Sequence, residues 1–145
     1  VAKALFTIPG DPVGKGRPRF SRGRVYTPEK TKAFERLVAF HAQGFGILRG
    51  PVKLTISSVF LVPKSWPKRR QKEAMGRYHV VRPDIDNLVK AVADGLNGVL
   101  LEDDRQIAVV EARKTYGPQP MTTVIVEELE WWRDYETGEA AYGRK

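Results

Sequence analysis

The chain of 145 residues is 41% hydrophobic and has no cysteine; this length suits one domain, and the missing thiols exclude disulfide frameworks, zinc knuckles and cysteine nucleophiles. Its 25 lysines and arginines outnumber 17 aspartates and glutamates, a net charge of +8, which marks a candidate binder of polyanions, nucleic acid foremost. No apolar run approaches the roughly 20 residues that span a bilayer, and Val1–Ile8 meets Pro9-Gly10 too soon for a signal peptide, so a soluble cytoplasmic protein without membrane contact is expected.

Alternation from Lys3 to Ile8 predicts a first strand, closed by Pro9-Gly10-Asp11-Pro12. The loop after it places Lys15, Arg17, Arg19, Arg22 and Arg24 close together with glycines between them, so backbone and side chains can both approach phosphates. It is not a nucleotide-binding P-loop: Gly10 and Gly14 stand one residue too close, and Gly16 follows the lysine where Ser or Thr is required. A short extended piece at Arg24-Val25-Tyr26 precedes a helix with Thr27 as N-cap and Pro28 in first position, its face marked by Ala33, Phe34, Leu37, Val38 and His41. Phe20 and Tyr26 are expected mainly as core residues. Val52–Phe60 alternates as a strand. Pro63–Val80 reads as a loop or short exposed helix, where Lys64, Lys68, Arg69, Arg70 and Lys72 flank Trp66 in a phosphate-tracking arrangement. Asn87–Leu96 is helical, stopped by Asn97-Gly98. Ile107–Tyr116 and Thr122–Glu128 read as strands joined at Gly117-Pro118. The fold expected is α/β (α+β): a single compact domain over residues 1–130, with a mixed sheet of about four or five strands and two main helices. A charged, acidic tail follows over residues 131–145, read as a short helix that frays.

Charge is unevenly spread. Lys3 to Arg24 holds six basic residues against one acid, Lys64 to Arg82 seven against one, and Glu127 to Glu139 six acids against Arg133 alone. This predicts a basic face and an acidic tail. Within the cationic chain stands Arg82-Pro-Asp-Ile-Asp-Asn-Leu-Val-Lys90, followed by Asp94 and by Glu102-Asp103-Asp104. Pro83 disfavours helix at Arg82, so the chain is expected to arrive extended. Asp84 and Asp86 would then face one side with Cα atoms about 6.5–7 Å apart, able to converge on one hard cation, while Ile85 turns to the core. Asp86 or its neighbour would cap the helix near its positive end. Lys90 lies four residues from both Asp86 and Asp94, on one stripe. A return through Val99–Leu101 could bring Asp103 or Asp104 to the first pair, giving an oxygen-only site for Mg²⁺ or Mn²⁺. Such a cation polarises a phosphoryl oxygen and generates hydroxide at neutral pH, and Lys90 would steady the charge on the phosphorus oxygens. These are the parts of a phosphodiester hydrolase. Taken singly, each acid is more often a cap or a surface ion pair; together, in a basic chain, they would weaken phosphate binding unless they held a metal.

Pro83-Asp-Ile-Asp-Asn-Leu-Val-Lys90, Asp94-Gly-Leu-Asn-Gly98 and Glu102-Asp-Asp-Arg-Gln-Ile107, with Gly14-Lys-Gly-Arg-Pro-Arg-Phe20 and Val25-Tyr-Thr-Pro28 before them, resemble the signature of the RusA-type Holliday junction resolvases. The resemblance covers residues from about 5 to about 128. It implies a small homodimeric, magnesium-dependent endonuclease that makes paired cuts in four-way DNA junctions during recombination and repair, in a bacterial or phage-infected cell. It implies catalytic, metal-holding acids at Asp84, Asp86 and Asp104, with Asp103 as a further metal ligand, and an essential lysine at Lys90. DNA contacts are expected at Lys15, Arg17, Arg19, Arg22 and Arg24, and at Lys68, Arg69 and Arg70.

Symmetric nicks on two opposed strands call for two equal sites about a twofold axis, which a C2 dimer supplies. The Ile107–Tyr116 strand and the helix of Phe34 are the candidate dimer surfaces. Two other readings stay open on the residues alone. One is a non-catalytic basic nucleic-acid-binding protein whose acids are caps and salt bridges. The other is a metal-dependent nuclease of single-stranded, RNA or other branched substrates.

Overall fold

The computed structural model describes residues 2–130, so the tail expected over 131–145 lies outside the described residues. The chain runs β1 (Lys3–Pro9), β2 (Arg19–Ser21), β3 (Arg24–Tyr26), α1 (Glu29–Ala42), β4 (Val52–Phe60), α2 (Lys68–Ala74), α3 (Ile85–Leu96), β5 (Ile107–Tyr116) and β6 (Met121–Glu128), with a 3₁₀ turn at Asp104–Gln106. It is an α+β fold. The main sheet is mixed, in the order β1-β6-β4-β5, with β4 and β5 parallel and the other neighbours antiparallel. A parallel pair needs a long crossover. Here that crossover, residues 61–106, carries α2, α3 and all the acids singled out from sequence.

Period-two alternation sets which face of the sheet is dry. Ala4, Phe6 and Ile8 of β1, Val52, Leu54 and Ile56 of β4, and Val124 and Val126 of β6 are buried in one cluster with Phe34, Val38, Ala91, Val92 and Leu96 of the helices. The stripe of α1 is Thr31, Phe34, Val38 and Ala42. Leu37, expected on it, is exposed, as is Phe40. Phe34 therefore serves the core, and any pairing through α1 would use Leu37 and Phe40. Thr27 does not cap α1; Pro28 holds the N-cap position and no side chain caps there.

Two further expectations shift. The helix predicted from Asn87 begins at Ile85, and Ile85 is exposed, not part of the core. Phe20 and Tyr26 are exposed on a separate β2–β3 hairpin. Its turn residues Arg22 and Gly23 both have positive φ, 52° and 75°, as tight two-residue hairpin turns demand. The segment 63–80 holds α2, none of whose residues is buried, and it is tied to the end of β5. His79 N–H donates to Lys114 O, Tyr116 N–H to Arg77 O and Gly76 N–H to Tyr116 O, at 2.9–3.0 Å. The His79 ring stacks on Phe60, and Trp66 meets Tyr116 edge-on. Burial, aided by the nearby Lys114 ammonium, lowers the pKa of His79. Among the described residues no helix is long and apolar enough to cross a membrane.

The helices cross closely because of one residue. A Cβ at Gly95 would lie 2.6 Å from Val38 Cβ and 3.0 Å from the Glu35 carbonyl oxygen. Gly95→Ala should therefore destabilise the fold by about 1–3 kcal/mol through overpacking, read as a lower urea midpoint with an unchanged m-value. An unshifted midpoint would mean that the seam opens freely.

Candidate active site

The entry to α3 is set by backbone first. Asp84 is extended (φ −69°, ψ 148°) in the N-cap position, and its carbonyl accepts from Asn87 N–H and Leu88 N–H. Aspartate is favoured there as a side-chain cap, yet the Asp84 carboxylate makes no cap bond. Asp86, inside the first turn, takes only the N–H of its neighbour Asn87, at 2.9 Å. Among the described residues neither acid has an ion-pair partner within 4.0 Å. Both carboxylates stand exposed beside the positive end of a helix, uncommitted.

The strand from β5 holds this entry in place. Lys114 Nζ donates to Val81 O at 2.7 Å and to Pro83 O at 2.6 Å. A lysine on the sheet thus clamps the carbonyls on either side of Arg82, immediately before Asp84. Sequence reasoning missed Lys114, because its partners are backbone carbonyls distant in the chain and leave no side-chain pattern.

Lys90 lies one turn along α3, 55% exposed at its side chain. Its ammonium is 3.2 Å from Asp94 Oδ1 and 3.4 Å from Asp104 Oδ2. The Asp94 pairing is the main cause of its raised pKa, with Asp104 adding to it, so Lys90 is charged at neutral pH. The return through Val99–Leu101, expected to bring Asp103 or Asp104 to Asp84 and Asp86, sets Asp104 against Lys90. The acidic trio divides its work. Glu102 approaches Arg49 at 3.9 Å. Asp103 accepts from Arg105 N–H at 2.8 Å and forms a capping box with Gln106, and the Arg105 N–H lowers its pKa. Gln106 in turn donates to Leu48 O and Gly50 O. Asp103 is the cap, and Asp104 the acid left to face Lys90.

The cationic residues also divide. Arg17, Arg19, Lys30 and Arg82 line a cleft of about 860 Å³, whose lining includes a single acid, Asp84. A second cleft, of about 560 Å³, also has Asp84 in its wall, with Tyr78, His79, Arg113 and Lys114. Arg22 and Arg24 are exposed on the β2–β3 hairpin. Lys68, Arg69 and Arg70 are exposed on α2, where Arg69 pairs with Glu73 and the Arg70 guanidinium covers the Trp66 ring at 3.7 Å. Lys15 lines the first cleft as well, but its ammonium is held by acids, 2.7 Å from Glu35 and 2.9 Å from Asp94.

Among the described residues, no three or more histidine, aspartate or glutamate side chains gather closely enough to hold a metal ion. The same-side relation expected of Asp84 and Asp86 required a strand. Because α3 starts at Ile85, Asp86 lies in its first turn while Asp84 stays extended at the N-cap, so the strand geometry expected of the pair is absent.

The family described as Endodeoxyribonuclease RusA matches residues 9–127 of this chain. The uncharacterized protein YqaN of Bacillus subtilis (strain 168) is 34% identical over 135 residues, covering 86% of this chain and 95% of the relative.

Replacing Lys114 by methionine should free the 81–83 carbonyls at a cost of about 1–3 kcal/mol, the range for hydrogen bonds to a charged group. Amide exchange across residues 82–88 should quicken while that of β1 stays at wild-type rates. Unchanged protection at the α3 entry would show that the clamp is dispensable.

Proposed function

The chain belongs to the RusA endodeoxyribonuclease family, and we propose that it resolves four-way DNA junctions by paired, Mg²⁺-dependent phosphodiester hydrolysis as a homodimer. One observation carries this reading: a cleft lined by cations has a single acid in its wall, the uncommitted Asp84. Such a cleft draws in a phosphate backbone and delivers it to a carboxylate.

The donor set suits a hard divalent cation by type, since Asp84, Asp86 and Asp104 offer only carboxylate oxygens. Mg²⁺ is commonly held by one or two carboxylates, its shell completed by water and substrate phosphate. A chain without a ready-made three-acid cage is compatible with that habit. Asp84 and Asp86 would hold the ion, with Asp104 as the third candidate. When bound, the ion supplies phosphoryl polarisation and a water acidic enough to act as nucleophile.

The remaining work falls to the chain's own groups. Arg17, Arg19 and Arg82 orient the backbone. Lys90, held between two carboxylates and more than half exposed, donates to the phosphorus oxygens as their charge grows. Cutting two opposed strands evenly requires a second copy about a twofold axis. The outer face of α1 at Leu37 and Phe40, and the β5 edge at Val109 and Val110, are the exposed apolar surfaces suited to it. A protein of this kind acts on DNA in the cytoplasm.

Four-way junctions, linear duplex and single strands, incubated with Mg²⁺, separate junction resolution from general nuclease activity; cutting of linear duplex alone would overturn the assignment. Chelation should stop cleavage without loss of junction binding, and Mg²⁺ or Mn²⁺ should restore it. Asp86→Asn should abolish cutting yet bind junctions at least as tightly, since a negative charge beside phosphate is removed. Lys90→Ala should slow cleavage about 10²–10³-fold with little change in affinity; normal turnover would reduce Lys90 to a surface ion pair.

A further inference from the structure

We propose that Lys15 is a positioning residue that sets the place of Lys90 through Asp94, and that its ammonium does not contact DNA phosphate. The proposal rests on the nuclease reading above. Asp94 shares its two oxygens between two lysines: Oδ2 lies 2.9 Å from Lys15 and Oδ1 lies 3.2 Å from Lys90. Lys15 also reaches Glu35 Oε2 at 2.7 Å, and Lys90 reaches Asp104 Oδ2 at 3.4 Å. Glu35, Lys15, Asp94, Lys90 and Asp104 thus form a row of alternating charge that runs from the seam between α1 and α3 to the candidate active site.

The strap that carries Lys15 is built to bring it inward. A Cβ at Gly14 would lie 2.9 Å from Pro83 Cβ, and one at Gly16 would lie 2.9 Å from Pro28 Cγ. Only glycine passes on both sides. Lys15 N–H donates to Asn87 O at 2.8 Å, and Gly16 N–H to Thr31 Oγ1 at 3.0 Å. The backbone is therefore pinned to both helices, and the Lys15 side chain, 21% exposed, enters between Glu35 and Asp94. Gly95 brings those two acids together by closing α1 on α3, and a cation is needed where they meet.

The effect on Lys90 is directional. With Lys15 on Oδ2, only Oδ1 of Asp94 is left for Lys90, whose ammonium is then shared with Asp104. Without Lys15, both oxygens of Asp94 face Lys90 alone and draw it back along α3, away from Asp104 and the substrate.

The test compares wild type with Lys15→Met in single-turnover junction cleavage at saturating protein, and in junction binding at several salt concentrations without divalent ion. The maximal rate should fall about tenfold to a hundredfold, as for a misplaced catalytic group. The half-saturation point and the slope of log K against log salt should hold at wild-type values. A slope smaller by about one, with a wild-type maximal rate, is the signature of a lost phosphate contact and would overturn the proposal. Lys15→Arg, which keeps a cation between the acids, should restore most of the rate. Should Lys15→Met fail to fold, Lys15→Met combined with Glu35→Gln removes one acid with the cation and is read in the same way. The salt slope needs no cleavage. A wild-type chain that cuts no junction would refute the nuclease reading, while the slope would still decide whether Lys15 meets phosphate.

Discussion

The close approach of α1 and α3 at Gly95 is the constraint on which the site depends. A helical glycine is costly in isolation, by about 1 kcal/mol relative to alanine. Here it lets Val38 and the Glu35 carbonyl fill the space a side chain would take. The crossing fixes where Asp94 stands relative to Glu35, and so where a lysine must enter. Packing and electrostatics are therefore not separable in this molecule: the tightest steric contact between the helices also sets the spacing of the charges.

Around that seam, the segments that carry the candidate site are held largely by backbone bonds and by groups remote in sequence. The strap of residues 12–18 is pinned by Asn87 and Thr31. The approach through residues 81–83 is clamped by Lys114 of β5. The turn that presents Asp104 is buttressed by Asp103 and by Gln106, which reaches the chain ahead of β4. The functional side chains stay polar and largely unburied, and rigidity comes from backbone bonds beneath them. This division leaves the carboxylates of the candidate site open to solvent while the backbone beneath them stays fixed.

Much of this was legible in the residues. Alternation marked Val52–Phe60, and Ile107–Tyr116 also read as a strand; the structure contains both, and the acids of 84–104 marked the candidate site. The placing of Lys15 was not legible, because a lysine between glycines in a basic loop looks the same whether it faces solvent or a seam. Thr27 carried a strong capping signal, but Pro28, with its fixed φ, took the cap position itself. The extended Asp84–Asp86 pair failed because Pro83 restricts only the residue before it and leaves Ile85 free to begin a helix. Leu37 matched the helical apolar pattern yet lies, with Phe40, on the outer face, since periodicity alone does not say which of two adjacent stripes meets the sheet.

Asp84 stands at the middle of the crossover between β4 and β5, the one parallel pair of the main sheet, and Asp104 at its far end. Strand pairings across such a separation are among the slower events of folding, because a long loop must close before any ladder bond is gained. Lys90 and Asp104 both lie within that crossover, and β4 is itself braced on its other side by β6, the last strand described. Both ends of the crossover that carries the candidate site are anchored only once that ladder forms, so its final geometry belongs to the late steps of folding.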